Sequence, residues 1–347
     1  MKRRDVGRVV AGATAAGLVG RTAQARLSAD AEKVLYEAAR ADGEFTWYVA
    51  HYSTEYANRY AQAFTAKYPG VKVNVVRATS GVVYQRAMQE LKVGTPQVDV
   101  LGSADIGHYL EMKNKGQLET FRPANGATLL PRLRDVDPDG QYHVTGFGLM
   151  GIIYRKDKVK AEDAPKSWLD LADPRWKNQV ALSHPAFSGS VATWVVAMTA
   201  LHGWSYFEKL EKGKPQIGRS LLDTNTMLKT GERLVGIAYM PQAVQDIAKG
   251  EPLGLVYPSD GSVLIVGCSA IVKGARKPAA ARLFMEFLQS EAFSRMLADD
   301  FQEPTRPEVT SRSGVSLATT KLIEQSAADV LKGGPAARER WRDTFGA

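Results

Sequence analysis

The sequence predicts an α/β protein of two lobes joined by extended segments that cross between them. Three observations carry this. A strand–turn–helix unit repeats three times after residue 26, a second α/β body follows, and two long extended stretches stand where the chain must pass between bodies. The length, 347 residues with 44% hydrophobic and 24% charged side chains, exceeds what one core usually serves, so two domains are the default. With a single Cys, no disulfide framework can form within the chain, and the fold must rest on packing.

The first unit is a strand at 45–50, the turn His51-Tyr52-Ser53, and a helix whose Tyr56, Tyr60, Ala63 and Phe64 share a face until Pro69-Gly70 stops it. The second places Val71, Val73 and Val75 on one strand face, then the turn Ala78-Thr79-Ser80-Gly81 and a helix carrying Val83, Ala87, Met88 and Leu91. The third is a strand at 98–101, the turn Gly102-Ser103-Ala104-Asp105, and a helix through Tyr109, Leu110 and Met112. Three strand ends thus present small polar residues to one sheet edge, the carboxyl edge at which open α/β sheets bind ligands.

The second body begins with a long extended stretch at 144–154. A short strand at 180–182 then leads through Ser183 and Ser188-Gly189-Ser190 into an apolar helix at 191–201. Strands follow at 235–239, 254–257 and 263–272, with a strong helix at 278–289. The stretches at 144–154 and 262–272 are expected to cross between lobes and form the hinge. Lobe 1 is then 26–147 with 262–347, and lobe 2 is 148–261.

Residues 1–25 read as a removable segment: a basic start at Arg3-Arg4, a weakly apolar stretch from Val9 to Val19, and the small-residue end Ala23-Gln24-Ala25. Paired arginines and a mild apolar region point to twin-arginine export. The formal charge of +8 includes Lys2, Arg3, Arg4, Arg8 and Arg21 of that segment. The basic excess is therefore largely export signal, and nothing pairs a basic stripe with aromatic residues as nucleic-acid binding requires. Cys268, flanked by Val266, Gly267 and Ala270, reads as a buried small hydrophobe.

Gly146-Phe147-Gly148-Leu149-Met150-Gly151 matches the dinucleotide fingerprint in letters. Its context is wrong, because a strand rather than a helix follows, so close packing in a hinge strand is expected and no cofactor. Ser188-Gly189-Ser190 is the leading anion site. A helix start leaves backbone N–H groups unpaired, Gly189 lets an anion approach them, and the hydroxyls add donors. Thr79, Ser80 and Gly81 form a matching turn in the first body, so two donor-rich helix starts could hold one anion between lobes, with affinity from backbone donors rather than a single Lys or Arg. Asp105 could meet an amine of the ligand or simply cap its helix. His51, Tyr52, Ser53, Ser103, Asn225 and Tyr239 complete the ligand candidates. As a metal set, His51, Tyr52, Asp105 and Tyr239 would have to converge. No nucleophile elbow or phosphate-gripping P-loop occurs, so catalysis is not expected.

The chain resembles the periplasmic solute-binding proteins of ABC importers, in the two-lobed type II group that includes ferric-iron-binding proteins. The likeness rests on Lys249-Gly250-Glu251-Pro252 through Val256-Tyr257-Pro258-Ser259-Asp260-Gly261, then Ala270-Ile271-Val272-Lys273-Gly274-Ala275 and the run from Pro278 to Phe284. Pro96-Gln97-Val98-Asp99-Val100 and Gly151-Ile152-Ile153-Tyr154 are further landmarks. The resemblance implies a periplasmic protein, two lobes closing on a small anionic ligand with Ser188-Gly189-Ser190 at the anion position, a monomer, and an ABC permease at the inner membrane as partner. The ferric branch uses two adjacent Tyr in lobe two, whereas here a single Tyr239 is followed by Met240-Pro241. The expected ligand is a carboxylate, phosphonate or phosphate ester; ferric iron or another metal is the alternative.

Overall fold

The computed structural model describes residues 26–313 and 319–346. The expected export segment, 1–25, lies outside the described residues.

Apolar alternation builds β1 (Glu44–Val49), β2 (Lys72–Arg77) and β3 (Val100–Ser103), with β1 parallel to both of the others. Each strand runs into a helix: α2 (Thr54–Lys67), α3 (Ser80–Lys92) and α4 (Ile106–Asn114), preceded in the chain by α1 (Ala29–Asp42). The long extended stretch is β4 (His143–Arg155). The second lobe contributes β5 (Val180–Ser183), α5 (Gly189–His202), α6 (Ser205–Lys212), β6 (Gln216–Gly218) and α7 (Leu221–Thr230). It continues with β7 (Val235–Tyr239), α8 (Met240–Ala248) and β8 (Leu253–Val256). The chain returns along β9 (Ser262–Ile271) to α9 (Pro278–Leu288), α10 (Glu291–Asp299), β10 (Leu322–Ile323) and α11 (Ala327–Phe345).

The two crossing stretches expected as a hinge are β4 and β9. They pair antiparallel at the centre of one curled sheet with strand order β2-β1-β3-β9-β4-β7-β5-β6, and β8 and β10 are added beside β4 and β9. The two bodies therefore share a hydrogen-bonded ladder while keeping separate cores. On one side Phe45, Trp47 and Phe64 pack against Phe284 and Phe287. On the other, Trp168, Trp194, Tyr206 and Phe207 fill the space under β5 and β7. Cys268 is buried in β9, as its apolar neighbours implied.

The expectation that 262–347 sits wholly with lobe 1 does not hold for α11. Its Val330 joins the core that contains Tyr109 and Leu133, while Ala337 and Trp341 enter the core of Trp194 and Phe207. Trp204 Nε1 also donates to Thr344 Oγ1 at 3.0 Å. The ring of Trp341 packs edge-on to Phe207, 5.7 Å between centroids, and this burial draws the end of α11 onto the second lobe. Among the described residues no helix is long and apolar enough to cross a membrane.

Candidate ligand site at converging helix starts

At the strand ends between the lobes lies one cavity, and the N-cap residues of five helices line it: Ser53 of α2, Thr79 of α3, Ser188 of α5, Ser220 of α7 and Tyr239 of α8. Each helix start carries roughly half a positive charge and backbone donors beyond those its own turns use. Ser53 Oγ accepts from Tyr56 N, and Ser188 Oγ from Val191 N, each at 3.4 Å. Asp223 accepts from Arg219 N at 2.8 Å and Ser220 N at 2.9 Å, which fixes the entry to α7. Thr79 differs: its Oγ1 is buried with no hydrogen-bond partner. Ser80 and Ser190 line the same space.

Arg77, the last residue of β2, also reaches the cavity and is partly buried. Its Nε donates to Tyr52 O at 3.2 Å. Burial lowers the guanidinium's pKa, with Asp223 opposing, but a guanidinium stays charged at any ordinary pH. No Asp or Glu stands in the lining. The rest of the wall includes Phe187, Leu221, Leu222 and Ile265, with Gln242 three residues after Tyr239 in the first turn of α8.

The rings of the cleft lie against glycines of the crossing strands. A Cβ at Gly267 would stand 2.6 Å from His51 Cδ2, one at Gly146 2.6 Å from Tyr52 Oη, and one at Gly148 2.6 Å from Tyr239 Cζ. Gly151 faces Met240 Sδ and Val256 O, at 2.7 and 2.8 Å from where its Cβ would be. The glycine run that spells a dinucleotide fingerprint is thus strand packing, as its context implied. Burial pushes the His51 imidazole down to about 3 against an opposing Gly102 carbonyl, so the ring is neutral near pH 7. Burial also raises both phenols far above the usual tyrosine range; each of Tyr52 and Tyr239 feels one further acidic neighbour, Tyr239 and Glu303 respectively. Tyr52 Oη donates to Thr145 O at 2.8 Å.

Of the sequence candidates, His51, Tyr52, Ser53, Thr79, Ser80, Ser188, Ser190 and Tyr239 are brought together. Five are not. Asp105 is buried, and its carboxylate accepts from Gly107 N at 3.1 Å and lies 3.3 Å from His108 Nε2 and 3.7 Å from Arg338 Nη1. It caps α4 and does not line the cavity. Ser103 Oγ accepts from Asp105 N at 3.1 Å and serves the same turn. A Cβ at Gly189 would fall 2.5 Å from Asp105 N, so the missing side chain makes room for the other lobe rather than for an anion. Gly81 N donates to Phe187 O at 3.4 Å, and its Cβ would lie 2.5 Å from Ala186 O, again a contact between lobes. Asn225 is buried in lobe 2 and donates to Asp246 Oδ2 at 2.8 Å.

The metal alternative loses its carboxylate with Asp105. Among the described residues no three His, Cys, Asp or Glu side chains come together as a metal site. Beside the backbone donors expected to supply the affinity, the lining also holds Arg77, which the sequence reading did not name. Its signal was its place, directly before a turn already marked as polar. Ser220 was legible too, since Ser220-Leu221-Leu222-Asp223 has capping-box spacing.

The profile of bacterial extracellular solute-binding proteins matches residues 85–317, more than half of the chain. A Salmonella paratyphi A periplasmic protein named for 2-aminoethylphosphonate binding is 24% identical over 296 residues, 82% of this chain and 81% of its own. The major ferric iron-binding protein of Neisseria gonorrhoeae is 26% identical over 172 residues, 46% of this chain and 51% of its own. Among solved structures, the periplasmic binding protein AfuA of Actinobacillus pleuropneumoniae with fructose-6-phosphate bound superposes with a TM-score of 0.81 at 24% identity, covering 88% of this chain and 99% of that one. Iron-bound HitA of Pseudomonas aeruginosa gives 0.74 at 21% identity, with 87% and 99% covered. The chain belongs to the bacterial extracellular solute-binding proteins and has the two-lobed type II periplasmic binding fold.

Proposed function

We propose that this protein captures a small organic anion, a carboxylate, phosphonate or phosphate ester, between its lobes. Its family supplies the rest of the role, that of periplasmic binding component of an ABC importer. It acts as a monomer that binds without turnover and hands the solute to a permease at the inner membrane.

One observation carries the choice of an anion: five helix starts and a partly buried guanidinium face a cavity whose lining contains no carboxylate. Several partial positive charges and N–H or O–H donors in a desolvated space favour a compact negative group. Relatives named for a phosphonate and solved with a sugar phosphate fit that chemistry. Iron-binding relatives exist, but ferric iron wants several anionic oxygens at once, and here the only carboxylate of the alternative set is committed to Gly107, His108 and Arg338.

A thermal-shift panel of carboxylates, phosphonates and phosphate esters tests this. A true ligand at a hundred times its Kd should stabilise the protein by about 2.7 kcal/mol. No shift from any anion, with visible colour on ferric loading, would replace this reading by the metal one.

A further inference from the structure

We infer that the anion recognised here carries no ammonium group: the remaining part of the solute is neutral, apolar or hydroxylated. This rests on the anion reading and narrows it. The observation is how the acidic groups near the cavity are engaged, Glu55 at 3.6 Å from Lys249 Nζ among them.

A buried ammonium is held best by a carboxylate within reach, because an unpaired charge in a desolvated site is costly. The lining supplies none. The acids that pack nearest are already committed. Asp105 is held by Gly107 N, His108 and Arg338 behind the Gly189 contact. Asp223 caps α7 through Arg219 N and Ser220 N. Asp246 accepts from Asn225 Nδ2 and sits 3.6 Å from Lys229 Nζ. Asp300 pairs with Arg59, and Glu303 accepts from Ser311 Oγ at 2.9 Å.

Meanwhile the cavity is electropositive. Arg77 and the helix starts that attract the anionic head repel a second cation placed beside it. What the cavity offers a ligand's remainder is the apolar surface of Phe187, Leu221, Leu222 and Ile265, and the neutral polar side chain of Gln242. These suit carbon and hydroxyl groups. The amine partner that Asp105 seemed placed to be is sealed off by the junction of the lobes.

The test is titration calorimetry of the full-length mature protein with two pairs of matched ligands. One pair is 2-hydroxyethylphosphonate and 2-aminoethylphosphonate, the other glucose 6-phosphate and glucosamine 6-phosphate. Each pair differs chiefly in a hydroxyl against an ammonium, and the pH is held below the ionisation of both amines so that each carries its positive charge. In whichever pair binds, the hydroxyl member is expected to bind roughly tenfold tighter or more. Equal affinity within a pair, or preference for the ammonium member, overturns the inference and leaves the anion reading intact. Binding by none of the four, alongside no response to any other anion, overturns both.

Discussion

Two kinds of helix start stand side by side between the lobes, and the same local chemistry serves opposite ends in them. At α5, Ser188 caps the helix and faces open space shared with Ser53, Thr79 and Ser220. At α4, Asp105 caps its helix just as well, through Gly107 N, yet its turn is stoppered by Gly189 of the other lobe and its carboxylate by Arg338 of α11. The difference lies not in the caps but in what the opposite lobe brings. Beside Gly189, open space remains at Ser188 and Ser190 of α5, whereas Asp105 lines none of it.

That contrast can be broken most sharply at Arg77. Arg77→Ala removes the only Lys or Arg of the lining among the described residues, and should weaken binding of an anion found in the thermal-shift panel by about 3 kcal/mol, more than a hundredfold, in calorimetry. An affinity within a few-fold of wild type would mean the anion sits elsewhere. Ser188→Ala with Ser190→Ala deletes two neutral donors and should cost about 1–2 kcal/mol of affinity, roughly five- to thirtyfold, and about 1 kcal/mol of unfolding stability through the lost cap of α5. The smallest effect on affinity is expected on the closed side. Asp105→Ala should leave binding within about twofold while lowering unfolding stability by about 1–2 kcal/mol, the loss of a cap and of a partner for Arg338. Lost binding by a folded Asp105→Ala protein would erase the distinction between the two regions.

Much of the open region was legible. His51, Tyr52, Ser53, Thr79 and Ser80 are the residues at which strand periodicity gives way to helical periodicity, and such turns must lie at the carboxyl edge of a parallel sheet. Arg77 was missed because it belongs to β2 in pattern, and a strand residue reads as scaffold. Ser220 was missed because β6 spans three residues, too few for alternation to show. Asp105, Gly81 and Gly189 were misplaced for a different cause. Their partners are Gly107 and Arg338, Ala186 and Phe187, and Asp105, most of them about a hundred residues or more away, and no local pattern reports such a meeting.

The sequence by itself determined where β1, β2, β3 and β5 would give way to α2, α3, α4 and α5, and that β4 and β9 would carry the chain between lobes. These depend on neighbours within one or two turns, through periodicity, capping and glycine packing. Tertiary structure alone decided which helix starts stay open, that Arg77 joins them, and that α11 straddles both lobes. Those outcomes follow from which distant surfaces exclude one another's volume, and excluded volume between segments far apart in the chain leaves no trace in local order.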